Sequence, residues 1–408
     1  MQSQTSQSDP VRVLFLENIH PVAVERMRSE GYVVETLGRG LDEDELIAKL
    51  DGVHLLGIRS KTQVTATAIA AAPHLRAIGA FCIGTDQIDL RAAAESGVAV
   101  FNAPFSNTRS VVELAVAEII ALTRRLTEKN AGMHAGVWDK DATGSHEVRG
   151  RSIGIVGYGN IGTQLSVLAE NLGLKVYFFD TADKLALGNA QRCDTLDELL
   201  EKADIVTLHV DGRPGNSGFF GEEQFAKMRP RSIFLNLSRG FVIDHEALRH
   251  HLANGHLAGA AVDVFPKEPK AKGDEFQSAL RGLPNVILTP HIGGSTEEAQ
   301  SDIGSFVAEK LHRYVQEGST TLSVNLPGLS LQQAPDTHRI ALLHHNVPGV
   351  LADVNSILAG HKVNVEGQIL ATRGEFGYLL ADIAIDYPAE ILAQLSNMAT
   401  TVQLRVLS

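Results

Sequence analysis

Cysteine is nearly absent from this chain: of 408 residues only Cys82 and Cys193 are cysteine. Two thiols cannot build a disulfide framework, so a reducing, cytoplasmic setting is expected. Tryptophan occurs once, at Trp138, and aromatic residues make up 5%. No apolar run approaches the roughly 18 residues that would mark a membrane-spanning helix. The nearest candidate, Val111–Leu122, is broken by Glu113 and Glu118. Positive charge is also scarce, with 36 Lys and Arg against 48 Asp and Glu and a net charge of −12. That balance disfavours nucleic acid or an anionic membrane as partner. It leaves room for a small anion held by a few local cations. The opening MQSQTSQSDP has neither a basic n-region nor an apolar core, so residues 1–10 read as a frayed tail rather than a secretory signal.

What is present is ordinary for a soluble folded protein: 44% hydrophobic and 21% charged residues. The length predicts two or three domains. Short apolar runs at 11–16, 55–58, 75–79 and 98–101 alternate with Ala-rich helical stretches, the pattern of a parallel sheet with crossover helices. A long helix is expected over 110–131. From Arg151 a second block begins, with strands expected at 152–156, 175–179, 205–209, 232–237, 259–264 and 286–289. Six strands alternating with helices predict a doubly wound α/β domain. Another long helix is expected over 295–317, then a linker over 318–335 with Gly318, Pro327, Gly328 and Pro335. From Thr337 the order strand–helix–strand–strand–helix–strand predicts a ferredoxin-like βαββαβ domain.

The segment SIGIVGYGNIG places Gly157, Gly159 and Gly162 in a G-x-G-x-x-G motif directly after an apolar strand. The helix that follows has apolar residues at Ile161, Leu165, Leu168, Ala169 and Leu172. The first glycine permits a tight turn, the second lets a pyrophosphate approach, and the third lets helix pack on strand. Asp180 ends the next strand, where a carboxylate bonds a ribose 2′-hydroxyl and repels a 2′-phosphate. NAD is therefore expected as cofactor. No metal is expected.

An NAD enzyme that oxidises an alcohol needs a base and, for an acidic substrate, a cation. Three residues just past strand ends suit these roles. His291, in TPHIGGS, has the side chain whose ordinary pKa lies nearest working pH. Glu268, in DVFPKEP, can fix the imidazole tautomer and favour its charged form. Arg239, in LSRG, can grip a carboxylate with two parallel hydrogen bonds. Taken singly, each could equally be a capping, loop or surface residue.

Together, GYGNIG (157–162), LNLSRG (235–240), AAVDVFPKEP (260–269) and TPHIGGST (289–296) resemble the D-isomer-specific 2-hydroxyacid dehydrogenase family over about residues 11–330. The resemblance implies a catalytic triad of Arg239, Glu268 and His291. It also places Asn160, Ile161, Leu237, Ser238, Asp263 and Gly294 at the cofactor, with Gly157, Gly159, Gly162, Asp180, Arg239 and His291. FCIGTDQIDL (81–90) and FNAPFSNTRSVVELAVAE (101–118) narrow the likeness to the short bacterial phosphoglycerate dehydrogenases within that family. For those the substrate is 3-phosphoglycerate, and the reaction opens serine synthesis. The implied substrate residues are Arg59, Ser60 and Lys61 in GIRSKT, with Asn107 and Thr108 in the FSNTRS loop. Lys61 stands where the relatives carry Arg, keeping the charge but losing the two-pronged fork.

The tail, with HHNVPGVL (344–351) and KVNVEG (362–367), resembles an ACT domain, a small effector-binding module. The resemblance implies an L-serine site at His344, Asn346 and Asn364, and a homotetramer; Trp138, in an irregular stretch between two domains, is a candidate subunit contact or equally a core residue. The implied boundaries are a substrate-binding domain over 11–105 and 296–330, an NAD-binding domain over 106–295, and an ACT domain over 337–408. Two segments depart from the pattern: the linker LSLQQAPDTHR lacks a glycine pair expected just before the ACT domain, and DGRPGNSGFFG (211–221) replaces the usual Pro and Thr. Two other activities remain open: a dehydrogenase for 2-hydroxyglutarate or glyoxylate, and an NAD(H)-sensing corepressor. The ACT tail and the FSNTRS loop argue against the corepressor.

Overall fold

The computed structural model describes residues 10–269 and 273–407, and it divides into two units: Met1–Pro104 with Gln300–Ser408, and Phe105–Ala299. All of the expected tail except Pro10 lies outside the described residues.

The first unit opens with five parallel strands in the order Val33–Thr36, Arg12–Phe15, Leu55–Ile58, Ala77–Ala80, Ala99–Asn102. The last three are buried along their whole length, as continuous apolar runs in a parallel sheet should be. Helices between them start at side-chain caps: Asp42 with Glu45 in a capping box, Thr65, and Asp89. The strand Val33–Thr36 is largely exposed and lies at the edge of the sheet.

The same unit carries a four-stranded antiparallel sheet in the order Val365–Arg373, Phe376–Ala384, Thr337–His345, Thr401–Leu407. With helices Val350–Gly360 and Glu390–Ser396 it completes the βαββαβ order. This sheet is docked on the end of helix Glu297–Glu317. The last carbonyls of any helix lack partners within it. Here Arg405 donates to the carbonyls of Tyr314 (2.9 Å) and Val315 (3.1 Å), and its guanidinium lies 4.3 Å from the Tyr314 ring centre. Arg339 donates to the Glu317 carbonyl at 3.0 Å and grips Asp382 with two bonds of 2.7 and 2.8 Å. Both members of that ion pair are fully buried. Tyr378 donates to the Gly318 carbonyl at 2.9 Å. The expected linker contains no helix or strand, yet Leu326 and Leu329 are buried and the Ala334 N–H donates to Asp382.

Among the described residues the second unit holds seven parallel strands, one more than the sequence pattern shows. The order is Val286–Leu288, Leu257–Val262, Ser232–Asn236, Ile205–Leu208, Ser152–Val156, Lys175–Phe179, Gln191–Arg192. The extra strand is two residues at the edge, too short to carry a period. The expected helix over 110–131 is two helices, Thr108–Thr123 and Leu126–His134. The break is Arg125, whose φ of 52° is left-handed and incompatible with a continuous helix. Its guanidinium grips Glu128 and reaches the Thr143 carbonyl. No glycine or proline marks the place. Beyond it Met133, Val137 and Trp138 are exposed.

One acid is buried in the first of these helices. Glu118 is 3% exposed, and neither carboxyl oxygen has a hydrogen-bond partner. Burial, reinforced by the negative charge of Asp263, pushes its pKa up to about 8. The unfolded chain ionises this group near 4.5. Folding is therefore least hindered below that pH, and its stability falls as pH rises toward 8. Glu118→Gln should raise the melting temperature by several degrees at pH 8 and by much less at pH 5. Equal shifts at both pH values would show that Glu118 does not remain protonated in the fold.

Candidate active site

The sheet order of the second unit reverses between Ser152–Val156 and Ile205–Leu208, and ligands of doubly wound sheets bind at the carboxyl ends flanking such a switch point. The glycine motif lies there, and its three glycines are required for different reasons. A Cβ on Gly157 would sit 2.5 Å from the His209 carbonyl oxygen, and Gly157 also has φ of 94°. A Cβ on Gly162 would sit 2.3 Å from the Gly157 carbonyl oxygen. The fold itself excludes side chains at these two. A Cβ on Gly159 would meet nothing within 4 Å. That open space is what an approaching pyrophosphate requires.

Gly159 precedes helix Asn160–Asn171 and gives it no side-chain cap, so the first N–H groups are left to a ligand. Asp180 accepts hydrogen bonds from the N–H groups of Tyr158 and Ala182, both at 2.8 Å. Its carboxylate is thereby fixed beside the glycine turn with further lone pairs for ribose hydroxyls. A hollow lined by Phe105, Thr108, Asn160, Thr163 and Gln164 adjoins the helix start. The Thr108 hydroxyl and the Gln164 side-chain oxygen are buried without partners. The residues present fit a dinucleotide. In loop 211–221, Arg213 pairs with Asp211 and Pro214–Asn216 forms a single tight turn.

The expected base and its partner meet. His291 Nδ1 lies 2.9 and 3.1 Å from the two carboxylate oxygens of Glu268. The hydrogen bond to Glu268 holds the His291 pKa above its usual value, against the opposing effects of burial and the Arg239 charge. Burial pushes the Glu268 carboxyl up, but its bond to His291, the His291 and Arg239 charges and the Phe265 N–H together hold it below the usual range. The His291 side chain is 46% exposed, so its far edge is open to a ligand.

His291 has φ of 54°, a conformation that costs about 1–2 kcal/mol in a non-glycine residue. Asp263 imposes it. Its backbone carbonyl accepts the His291 N–H at 2.8 Å. Its carboxylate accepts the Thr289 hydroxyl at 2.6 Å and the N–H groups of Ile292 and Gly293 at 2.8 Å each. Asp263, a candidate cofactor contact, is 1% exposed, and three donors of the histidine loop converge on its carboxylate.

Arg239 is placed by Asn236, which the motif reading passed over. The Asn236 side chain donates to the Arg239 carbonyl at 3.1 Å and accepts from both the N–H and hydroxyl of Ser238. Leu237 and Ser238 are buried. Asn107 stands against Gly294, where a Cβ would sit 2.3 Å from the Asn107 amide nitrogen. The Asn107 side-chain oxygen is buried without a partner.

In the first unit, Arg59 is half-buried while Ser60 and Lys61 are exposed. Their loop is anchored by Glu17, whose carboxylate accepts the N–H groups of Lys61 and Thr62 at 3.0 and 2.8 Å. At the antiparallel sheet, His344 is 2% exposed, its Nδ1 meets the His345 carbonyl at 2.8 Å, and its Nε2 has no partner. Gly377 makes room for that ring, since a Cβ there would lie 2.2 Å from it. Asn346 and Asn364 are exposed, just outside the ends of their strands.

A family model described as the NAD-binding domain of D-isomer-specific 2-hydroxyacid dehydrogenases matches residues 116–293. Another, described as an ACT domain like that of the AHAS small subunit, matches residues 340–403. The chain is 46% identical to D-3-phosphoglycerate dehydrogenase of Dictyostelium discoideum, over 98% of both chains. It is 47% identical to the enzyme of that name from Escherichia coli K12, over 95% of this chain and 94% of the other. Among solved structures, a Thermus thermophilus protein superposes with a TM-score of 0.68 at 30% identity, covering 74% of this chain and 96% of that one.

The histidine–carboxylate geometry gives a measurable titration. Glu268→Gln removes the largest of the interactions that raise the His291 pKa and leaves burial and Arg239, which lower it, against the charge of Asp263, which raises it. The His291 ring signal in an NMR titration should therefore move to a lower midpoint in the variant than in the wild type. An unmoved midpoint would mean that Glu268 does not set the basicity of the ring.

Proposed function

The chain belongs to the D-isomer-specific 2-hydroxyacid dehydrogenase family, and on that premise we propose that it is the NAD-dependent enzyme oxidising 3-phosphoglycerate to 3-phosphohydroxypyruvate, the entry to serine synthesis. The observation that carries this reading is 46–47% identity to D-3-phosphoglycerate dehydrogenases along nearly the full chain, the antiparallel tail included. Neither a glyoxylate-type activity nor a corepressor role is favoured.

The residues divide the work as follows. In the neutral form His291 carries its proton on Nδ1, facing Glu268, and presents the Nε2 lone pair outward. Nε2 takes the proton of the substrate C2 hydroxyl. Glu268 stabilises the imidazolium that results. Arg239 binds the substrate carboxylate and polarises the C2 oxygen. The nicotinamide, when bound, supplies the acceptor for the C2 hydride. Gly159, Asn160 and Ile161 would hold the dinucleotide's pyrophosphate and Asp180 a ribose, with Leu237, Ser238 and Gly294 bordering it. Arg59, Ser60, Lys61, Asn107 and Thr108 are assigned to the substrate; the unpartnered oxygens of Asn107 and Thr108 support the last two.

We assign the antiparallel module to an amino-acid effector, L-serine, at His344, Asn346 and Asn364. The unpartnered Nε2 of His344 supports a polar ligand there. The exposed Met133, Val137 and Trp138 support the subunit contact that a homotetramer requires, and a content of only two cysteines supports a cytoplasmic setting.

Two experiments test this reading. Purified protein should turn over 3-phosphoglycerate with NAD, and His291→Ala should lower kcat by roughly a hundredfold or more with an unchanged circular dichroism spectrum. Turnover within a few-fold of wild type would place the base elsewhere. L-Serine should bind the wild type and lower its rate, and Asn364→Ala should weaken both effects. Couplings between sites are typically about 1–3 kcal/mol, and the linker without a glycine pair points to the lower half of that range. Serine binding seen by calorimetry without inhibition would sink the coupling, and no binding at millimolar serine would sink the site.

A further inference from the structure

In the second unit, away from the triad, three side chains that no step of the reaction uses converge between helices Glu222–Lys227 and His245–Ala253. One carboxylate oxygen of Glu222 lies 2.9 Å from His251 Nε2 and 3.5 Å from His250 Nδ1. The three donor atoms all lie within 4.8 Å of one another. Ligand–metal bonds near 2.0–2.2 Å at tetrahedral angles separate neighbouring donors by roughly 3.3 Å. The observed spacings bracket that value, so an ion could enter with side-chain adjustment alone.

The cluster has a fixed side and an open side. The His251 side chain is 7% exposed and packs against His256, with ring centres 5.2 Å apart, and against Phe225 at 6.0 Å. As it stands, His251 Nε2–H donates to the Glu222 carboxylate; its Nδ1 has no hydrogen-bond partner, so the proton can shift to Nδ1 and leave the Nε2 lone pair to an ion. His250 and Glu222 are 61% and 58% exposed, which leaves a path for an ion and room for water ligands. His256 is not a fourth ligand as it stands, because its Nε2 meets the Phe225 carbonyl at 3.1 Å. A helix-to-helix ion pair needs one histidine; here two imidazoles address the same carboxylate oxygen.

We propose that Glu222, His250 and His251 form a binding site for one divalent transition-metal ion of the zinc class. Two imidazole nitrogens and one carboxylate suit zinc, cobalt or nickel, whereas magnesium and calcium prefer all-oxygen sets. The ion would staple the two helices together.

The test uses chelator-treated full-length protein titrated with zinc chloride by calorimetry, and with Co²⁺ by visible absorption. One ion per chain is expected, with the absorption bands of nitrogen-ligated tetrahedral cobalt. Losing an outer-shell partner of a metal site typically costs about 10–100-fold in affinity. Losing a direct ligand should cost at least tenfold, so His250→Ala and Glu222→Gln should each weaken binding by that much and diminish the cobalt bands. Both replaced side chains are exposed, and circular dichroism checks that the variants fold. Fewer than one ion per wild-type chain, or wild-type affinity in either variant, overturns the proposal; the metal would then be held by others of the 16 histidines.

Discussion

A single buried carboxylate organises the chemistry of this protein. Asp263 lies just past the end of its strand, and its carboxylate accepts three hydrogen bonds from the loop that carries His291. These three hydrogen bonds, with the bond from the His291 N–H to the Asp263 carbonyl, hold the histidine backbone in its left-handed conformation. Without that conformation, Nδ1 would not face Glu268. The same charge acts backward into the fold, since it helps keep Glu118 protonated on the helix packed beside it. Donors converge on one of these acids, whereas none reach the other, which burial keeps neutral.

The glycine turn shows how a fold and a ligand share a motif. Gly157 and Gly162 answer to backbone atoms of the protein, and Gly159 answers to nothing within the protein. The first and third would be needed in any tight strand–turn–helix packing. The middle glycine distinguishes a cradle from a corner.

Much of this was legible in the sequence, and the exceptions have physical causes. Strands Ser152–Val156 and Ile205–Leu208 lie where the apolar runs put them, because a parallel strand buried on both faces is itself an apolar run. His291 and Glu268 could be named from their positions after strand ends. Their mutual distance could not, because it is set by a turn whose hydrogen bonds are made to Asp263, far away in sequence. The break at Arg125 left no trace, since left-handed backbone at an arginine is imposed by tertiary contacts rather than by local preference. Glu222 gave no hint of its neighbours either, being 28 and 29 residues from the two histidines it meets.

The antiparallel module looks separable on paper, with its own topology and a linker before it. Between its sheet and its helices it has a core of its own, including Leu342, Val354, Leu379 and Ile391, but other residues of the sheet are shared. Leu343, Phe376, Tyr378, Leu380 and Leu407 belong to one continuous apolar cluster with Phe101, Leu311 and Tyr314 of the preceding domain. Ending the chain at the linker would uncover that surface and leave the carbonyls at the end of helix Glu297–Glu317 without Arg339 and Arg405. Such a truncation would not liberate an unregulated enzyme. It would produce a sticky, destabilised fragment, so regulator and catalyst can be exchanged between chains only together with the seam that joins them.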